Sequence, residues 1–234
     1  NNRSLENTYK AIFKRQVIRA EYDEQQEVPA KILDRINNIN SGKIKIHLMS
    51  DRWRRLTISE FQGQADNFVI NSKKFSRELG EWLLPNDSDS FIGMPGIGFG
   101  LSDEEARRLH LGLKGESQLR PEDGLKFSMG GKIGIEKSPA VCFLTAEEDS
   151  IENWLNTGKI MENIFLELAS EDISFTVHAG IAEVSLINRL FSMSVLGTTR
   201  KIMTLFRIGY LKRNEDKARP HSPRWPLTKI IIND

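Results

Sequence analysis

The stretch "PAVCFLTA", residues 139–146, constrains the fold more than any other part of the chain. A short, nearly all-apolar run is typical of a strand that is covered on both faces in the middle of a sheet. The next stretch, residues 150–171, repeats apolar residues at helical spacing, which predicts a buried helix directly after the strand. Gly158 interrupts that helix and would let another backbone or a flat ligand approach. The sequence therefore predicts a central strand covered by a core helix.

The remaining periodic segments predict further helices and strands around this pair. The chain has 234 residues, of which 39% are apolar, enough for one domain that spans residues 1–234. Residues 4–19 predict a helix that leads into an arginine-bearing turn, and further helices are predicted after Pro29 and over residues 52–70 and 72–83. Strands are predicted over residues 43–49 and 201–211, and in the closing "KIIIND". Mixed elements of this kind indicate an α/β or an α+β domain.

Residues 85–136, called the cover segment below, differ in kind from the rest. Glycine and proline recur there, and no hydrophobic period is sustained apart from a short helix near residues 102–111. Long irregular segments in compact domains are uncommon and often functional. The pattern favours an insertion that covers a site and that takes no part in the core.

Composition excludes several classes of function. The 33 basic and 32 acidic side chains nearly cancel, which argues against a nucleic-acid partner. Cys142 is the only cysteine, so no internal disulfide can form, and its apolar neighbours predict a buried strand residue. No signal peptide or membrane-spanning run is found, so we expect a cytoplasmic protein without a membrane partner. Because the chain begins without methionine, it is expected to be a domain cut from something longer.

No catalytic or metal-binding constellation is found in the sequence. The four histidines never approach each other in ligand spacing, and no nucleophile elbow or nucleotide-binding glycine pattern occurs at a strand-to-helix turn. A metal enzyme or a hydrolase with a serine nucleophile is therefore not expected.

Two distant parts of the sequence carry arginines that are suited to one anionic ligand. Arg15 and Arg19 lie at the end of the first predicted helix, and Arg224 lies between Pro223 and Pro226. Proline fixes φ near about −65° and keeps its neighbours extended, so Arg224 should be held in place. Guanidinium groups bind phosphate through paired, charge-assisted hydrogen bonds. The three arginines would suit a phosphate if the fold brought them together.

The order of these motifs resembles the FMN-dependent nitroreductase superfamily. The early match is "AIFKRQVIRAEY" followed by "EVPAKIL", and the late match runs from the central strand and helix through "LFRIGY" to "SPRWPLTKII". The likeness covers roughly residues 8–50 and 137–232. The stretch "RELGEWLLPNDSDSFIGMPGIGFG" is more similar to the divergent Acg-like branch, in which a segment lies over the flavin site.

The resemblance implies an α+β fold with a mixed, mostly antiparallel sheet flanked by helices, and a homodimer. It implies FMN as cofactor, NAD(P)H as electron donor and a small molecule as acceptor. It places the cofactor-binding residues at Arg15, Gln16, Val17, Arg19, Gly158, Gly180, Ser222 and Arg224. Arg15, Arg19 and Arg224 would hold the FMN phosphate, and Gly158 and residues 178–183 would lie near the isoalloxazine. Met94, Phe99 or Trp82 would form a cover.

Three departures from the family pattern leave other functions open. Gln16 and Val17 replace an arginine and a serine that bind phosphate in the family, and Asp172 stands where a glycine is usual. One alternative is a non-catalytic module that binds flavin or another ligand as part of a larger protein. Another is an interaction domain without a ligand, in which the arginines pair with acids such as Glu21 or Asp23.

Overall fold

The computed structural model describes residues 2–213 and 225–231. The helices are, in chain order, α1 (Asn2–Lys14), α2 (Ala30–Asn37), α3 (Arg52–Asn71), α4 (Lys73–Trp82), α5 (Asp103–Lys114), α6 (Pro121–Glu136), α7 (Ile151–Ser170), α8 (Gly180–Glu183), α9 (Ser185–Ser194) and α10 (Leu227–Ile230). The strands are β1 (Lys45–Met49), β2 (Leu83–Leu84), β3 (Met94–Pro95), β4 (Ala140–Ala146), β5 (Ser174–His178) and β6 (Lys201–Gly209). A 3₁₀ helix covers Gly96–Phe99.

The main sheet has the strand order β1-β4-β6-β5, and every neighbouring pair is antiparallel. β2 and β3 form a separate short parallel pair. The predicted central strand is confirmed, because β4 lies between β1 and β6 and every one of its residues is buried. The predicted α+β class with a mostly antiparallel sheet is also confirmed. No helix of the described residues is both long enough and apolar enough to cross a bilayer.

Helices cover both faces of the sheet, and β4 divides its side chains between them. Cys142 and Leu144 contribute to a core cluster with residues of α2 and α7. Val141 and Phe143 point the other way, into a cluster with residues of α3, α8 and α9. This division follows from the two-residue period of a strand. Cys142 is fully buried, as its sequence context predicts.

The segment after α1 is tied to the sheet and does not continue the helix. α1 ends at Lys14, so residues 15–19 form an arginine-bearing turn, as predicted. Val17 pairs with Phe175 of β5 through an isolated bridge, and Tyr22 pairs in the same way with Leu211 beyond β6. The arginine turn therefore lies along the β5 side of the sheet.

Two expectations from the sequence are wrong. The cover segment holds two helices, α5 and α6, where only one short helix was expected, and α6 packs against α3 and buries Ile135 in the core. The sequence did not predict α6 because its apolar residues show no clear helical period, which is interrupted by Gly124, Gly130, Gly131 and Gly134.

The closing run, residues 229–234, was also expected to form a strand, yet residues 229 and 230 belong to the single-turn helix α10 and residue 231 lies in no strand. Residues 232–234 lie outside the described residues. In the described part of the chain no strand pairs with this run. A β-prone run without a sheet neighbour has no ladder hydrogen bonds to keep it extended, and local bonds such as Lys229 N–H to the Pro226 carbonyl take their place.

Candidate functional site

The arginine turn directs its side chains towards different parts of the fold. Arg15 forms an ion pair with Glu162 of α7, in which Nε lies 3.0 Å from Oε1, and Glu162 is one helical turn beyond Gly158. Val17 packs against the core cluster that α7 shares with the sheet. Gln16 is half-buried between them. The turn therefore brings Arg15 to the same helix as Gly158, whereas the apolar Val17 side chain serves the core.

Arg19 faces the cover segment. Its Cζ atom lies 4.3 Å from the centre of the Phe99 ring, the geometry of a cation–π contact. Phe99 ends the 3₁₀ helix, which is held by Asn86 through hydrogen bonds to the Ile97 N–H and the Leu101 carbonyl. Burial lowers the pKa of the Arg19 guanidinium, and the charge of Arg207 lowers it further. Part of the cover segment thus lies directly on the predicted ligand-binding turn.

Arg207 of β6 is a buried cation beside Arg19, with 5% of its surface exposed. It donates to the carbonyls of Ala20 (2.8 Å) and Gly134 (3.3 Å) and to Ser138 Oγ (3.3 Å). Its Cζ atom lies 4.0 Å from the centre of the Tyr22 ring. It forms no ion pair with any carboxylate in the described part of the chain. A buried charge is normally paired, so Arg207 leaves uncompensated positive charge at this position.

His178, the last residue of β5, completes this cluster. Its Nε2 and the Nε of Arg207 are both buried, and neither has a hydrogen-bond partner in the described residues. Both side chains face Gly134 of α6, where an added Cβ would lie 3.3 Å from Arg207 Nε and 3.6 Å from His178 Cε1. Burial, and then the charges of Arg207 and Arg19, hold the pKa of His178 well below its usual value, so the imidazole is neutral. The cations Arg19 and Arg207, together with the neutral His178, are called the cationic cluster below.

Gly180 lies two residues further on, at the start of α8, and touches a buried carboxyl group. An added Cβ at Gly180 would lie 2.5 Å from Asp66 Oδ1 and 2.6 Å from Gln62 Nε2, so a larger residue would force the ends of both side chains to move. Gln62 donates to Asp66 Oδ1 over 2.7 Å. Burial raises the pKa of Asp66 to about 7, and the charge of Glu183 adds to the rise. A titratable group therefore lies against the segment that was expected near the isoalloxazine.

Gly158 has open space on the side where a side chain would project. No heavy atom lies within 4 Å of an added Cβ. The neighbouring residues Ile151, Trp154 and Leu155 of α7 are 69%, 54% and 64% exposed. This face of α7 is therefore apolar and uncovered within the described residues of one chain.

The other predicted site residues divide between the described and the remaining parts of the chain. Ser222 and Arg224 lie outside the described residues. Asp172 has a φ of +56°, a left-handed conformation that glycine adopts most easily, and its carboxylate pairs with Lys14 over 3.2 Å. Of the expected cover residues, Phe99 reaches Arg19, whereas Trp82 is 48% exposed.

Sequence reasoning missed Arg207, Asp66 and Gln62 as site residues. The signal for Arg207 was an arginine inside the apolar run of β6, because a charged residue is seldom buried there without a role. Gln62 and Asp66 interrupt the buried stripe that Ile58 and Val69 mark on α3. A pair of polar residues at the core positions of a helix is the sequence signal that could have identified Gln62 and Asp66.

Comparisons with known proteins identify the fold. No protein-family model matches the chain, and no curated protein sequence matches it. Among solved structures, 96 chains match. The FMN-dependent nitroreductase NfnB of Mycobacterium smegmatis, solved in complex with NADPH, is 13% identical, with a TM-score of 0.63 over 98% of this chain and 99% of that one. A Bacteroides fragilis nitroreductase with bound FMN is 15% identical, with a TM-score of 0.56 over 97% and 98%. The chain has the nitroreductase fold.

Proposed function

We propose that this chain binds FMN and passes electrons from NAD(P)H to a small-molecule acceptor. The observation that carries the proposal is the cationic cluster, in which buried positive charge lies beside residues 178–183 without a carboxylate on Arg207. FMN carries a phosphate and a pyrimidine edge that gains negative charge on reduction, so it suits such a site. The fold supports the proposal, because the solved nitroreductases that it matches include one with FMN bound and one in complex with NADPH.

The described residues fit a flavin in two respects. The partnerless Nε2 of His178 and Nε of Arg207 are donor or acceptor positions that a polar ligand or an ordered water would complete. The open face at Gly158 lets a flat group approach α7. Gln16 supplies an amide at a position where the family has an arginine, and Val17 supplies no polar group at all.

The chain's residues would bind and orient the cofactor. FMN, when bound, would supply the redox chemistry by accepting hydride from the nicotinamide and passing electrons to the acceptor. Arg15, Arg19 and Arg224 would bind the phosphate. No side chain of the described site is required as an acid or a base.

The first test is an absorbance spectrum of the purified protein, before and after incubation with FMN and gel filtration. Flavin bands near about 370 and 450 nm that co-elute with the protein would support the proposal. Arg224→Ala should weaken FMN binding at least tenfold, because a charge-assisted hydrogen bond contributes about 1.5–3 kcal/mol. Arg54→Ala, an exposed arginine of α3, is the control. An affinity within about twofold of wild type would refute the phosphate role of Arg224.

A non-catalytic flavin-binding module is the second candidate. The contact of Phe99 with Arg19 and the loss of a polar group at Val17 favour it, since both reduce what the turn offers a phosphate. Oxidation of NADH and NADPH by the FMN-loaded protein separates the two functions. Turnover supports the reductase, whereas a flavin-loaded protein without turnover supports the module. A colourless protein that retains no FMN would support an interaction domain.

We also propose that the chain forms a homodimer through α1 and α7. Tyr9, Ile12 and Phe13 of α1 are 62%, 53% and 66% exposed, and α1 packs on α7, whose exposed apolar face adjoins Gly158. Exposed apolar patches of this kind often mark interaction sites. Light scattering on a sizing column should give twice the chain mass of 26.7 kDa, and Phe13→Glu should return it to one chain. A wild-type mass of one chain would contradict the dimer.

A further inference from the structure

A buried carboxyl group, Asp66, lies between three helices at the edge of the candidate site. It belongs to α3 and is 6% exposed. An added Cβ at Gly131 of α6 would lie 2.1 Å from its Oδ2, and one at Gly180 of α8 would lie 2.5 Å from its Oδ1. Both distances are shorter than any real contact, so the two glycines leave the space that the carboxyl group occupies. The carboxyl group is therefore built into the junction of α3, α6 and α8.

Asp66 and Gln62 form a chain of contacts that ends on the backbone of α8. Gln62, which is 1% exposed, donates to Asp66 Oδ1 and accepts the Ile181 N–H on its Oε1 over 3.4 Å. The Gln62 amide is the one donor to the carboxyl group among the described residues. Ionised carboxylates with several donors have a lowered pKa, whereas a desolvated carboxyl with a single neutral donor keeps its proton. The geometry therefore favours a neutral Asp66.

The charged groups around this junction do not stabilise an ionised Asp66. On α8, Glu183 repels it and adds to its raised pKa. On α6, Lys132 packs on Gly63 and is engaged by Glu60 of α3 over 2.6 Å. On β5, His178 is neutral. Ionisation of Asp66 would therefore place a charge against Gly131 and Gly180 without a cation to balance it, which is costly in a buried position.

We infer that Asp66, acting through Gln62, is the positioning residue of the segment 178–183. The protonated carboxyl group fits the space between Gly131 and Gly180 and fixes the Gln62 side chain that binds the Ile181 N–H. The ionised group draws water into the junction and releases this segment. Residues 178–183 are the segment expected near the isoalloxazine, so the FMN affinity should change with the ionisation state of Asp66. This last step rests on the proposed function.

Hydrogen exchange of the flavin-free protein tests the positioning directly. The protection factor of the Ile181 amide, corrected for the intrinsic rate, should fall about 30-fold between pH 5.5 and pH 8.5, as expected for a group whose pKa is about 7 when the segment is closed. Asp66→Asn, which cannot ionise, should keep a constant protection factor. Asp123→Asn is the matched control, because Asp123 is 7% exposed but pairs with Arg108 at 2.8 Å away from this junction.

A protection factor of Ile181 that stays constant with pH in the wild-type chain would overturn the inference, and this measurement needs no variant. Gln62→Ala provides a second check, since it should lower the protection factor at every pH. The FMN affinity is then measured at the same two pH values. If the protection of Ile181 changes with the ionisation of Asp66 but the protein retains no FMN, the positioning role is supported and the proposed function is refuted. If the protein retains FMN but the protection of Ile181 does not change with pH, the proposed function is supported and the positioning role is refuted.

Discussion

Replacement of Asp66 by asparagine should remove one component of the pH dependence of folding. The folded chain holds a proton on Asp66 up to about pH 7, whereas the unfolded chain releases it near the ordinary pKa of 3.8. Between these values the folded state binds more protons than the unfolded state, so stability decreases as pH rises. Above pH 7 both states are ionised, and the dependence ends. Asparagine has the shape of the protonated acid and carries no proton to lose.

The difference between the folded and unfolded pKa of Asp66 determines how much the free energy of unfolding changes with pH. A difference of one unit between folded and unfolded pKa corresponds to about 1.36 kcal/mol, so the full shift is on the order of 4 kcal/mol. Between pH 5 and pH 8, where the protein can be handled, the contribution to the free energy of unfolding changes by about 2 to 3 kcal/mol. Since mutational effects of this size are well above the scatter of unfolding experiments, the prediction is measurable.

Urea unfolding at pH 5, 6, 7 and 8 provides the assay, with the wild-type chain and the Asp66→Asn variant measured side by side. The quantity of interest is the stability of wild type minus that of the variant, because the titration of groups that do not interact with Asp66 cancels in this difference. It should fall by about 2 to 3 kcal/mol from pH 5 to pH 8. A difference that stays within about 0.5 kcal/mol across this range would show that Asp66 is solvated or paired and would refute the reasoning.

Three further predictions concern single positions in α6, α7 and β1. Gly131→Ala should destabilise the chain by about 2 kcal/mol or more in urea unfolding, because the added Cβ would overlap Asp66. Gly130→Ala on the same helix meets open space and should stabilise the chain by about 0.5–1 kcal/mol. Equal effects of the two substitutions would contradict the packing of Gly131 against Asp66. Gly158→Ala should stabilise the flavin-free protein to a similar extent while weakening FMN binding, and unchanged FMN affinity would exclude a flavin at α7. Burial lowers the pKa of His47 to about 4, so between pH 6.5 and pH 4 the unfolded chain binds a proton that the folded chain does not. Wild type should therefore lose stability as the pH falls through this range, and His47→Gln should lose less stability when the two are compared in acid unfolding.

The sequence predicted the parts of the fold that local pattern controls. The apolar run of β4 and the stripe of α7 identified the centre of the sheet and its covering helix, since burial on both faces leaves a plain trace. Helix α6 was missed because its contact with α3 depends on glycines, which pack closely but add no apolar signal. The closing run was misread because β propensity acts only where a neighbouring strand is present.

The candidate site was predictable only in part, for a related reason. The arginine turn could be located from its motif, but the partners of Arg19 come from the cover segment and from β6, far away in the sequence. Asp66 owes its raised pKa to desolvation by three helices that meet around it, and no single segment encodes that. Buried polar groups at core positions are therefore the sequence signal to follow when the reactive group is not a side chain.

The contacts of Arg15 and Arg19 decide whether the arginine turn is still available to a phosphate. Arg15 would have to exchange its partly exposed ion pair with Glu162, and Arg19 its contact with Phe99. An exposed ion pair contributes about 0–1 kcal/mol and a cation–π contact of this kind about 0.5–1 kcal/mol. Each charge-assisted hydrogen bond to a phosphate contributes about 1.5–3 kcal/mol, so for Arg15 the exchange favours the ligand. The ion pair with Glu162 therefore leaves Arg15 open to a phosphate, whereas Phe99 would have to move aside for a phosphate to take its place on Arg19.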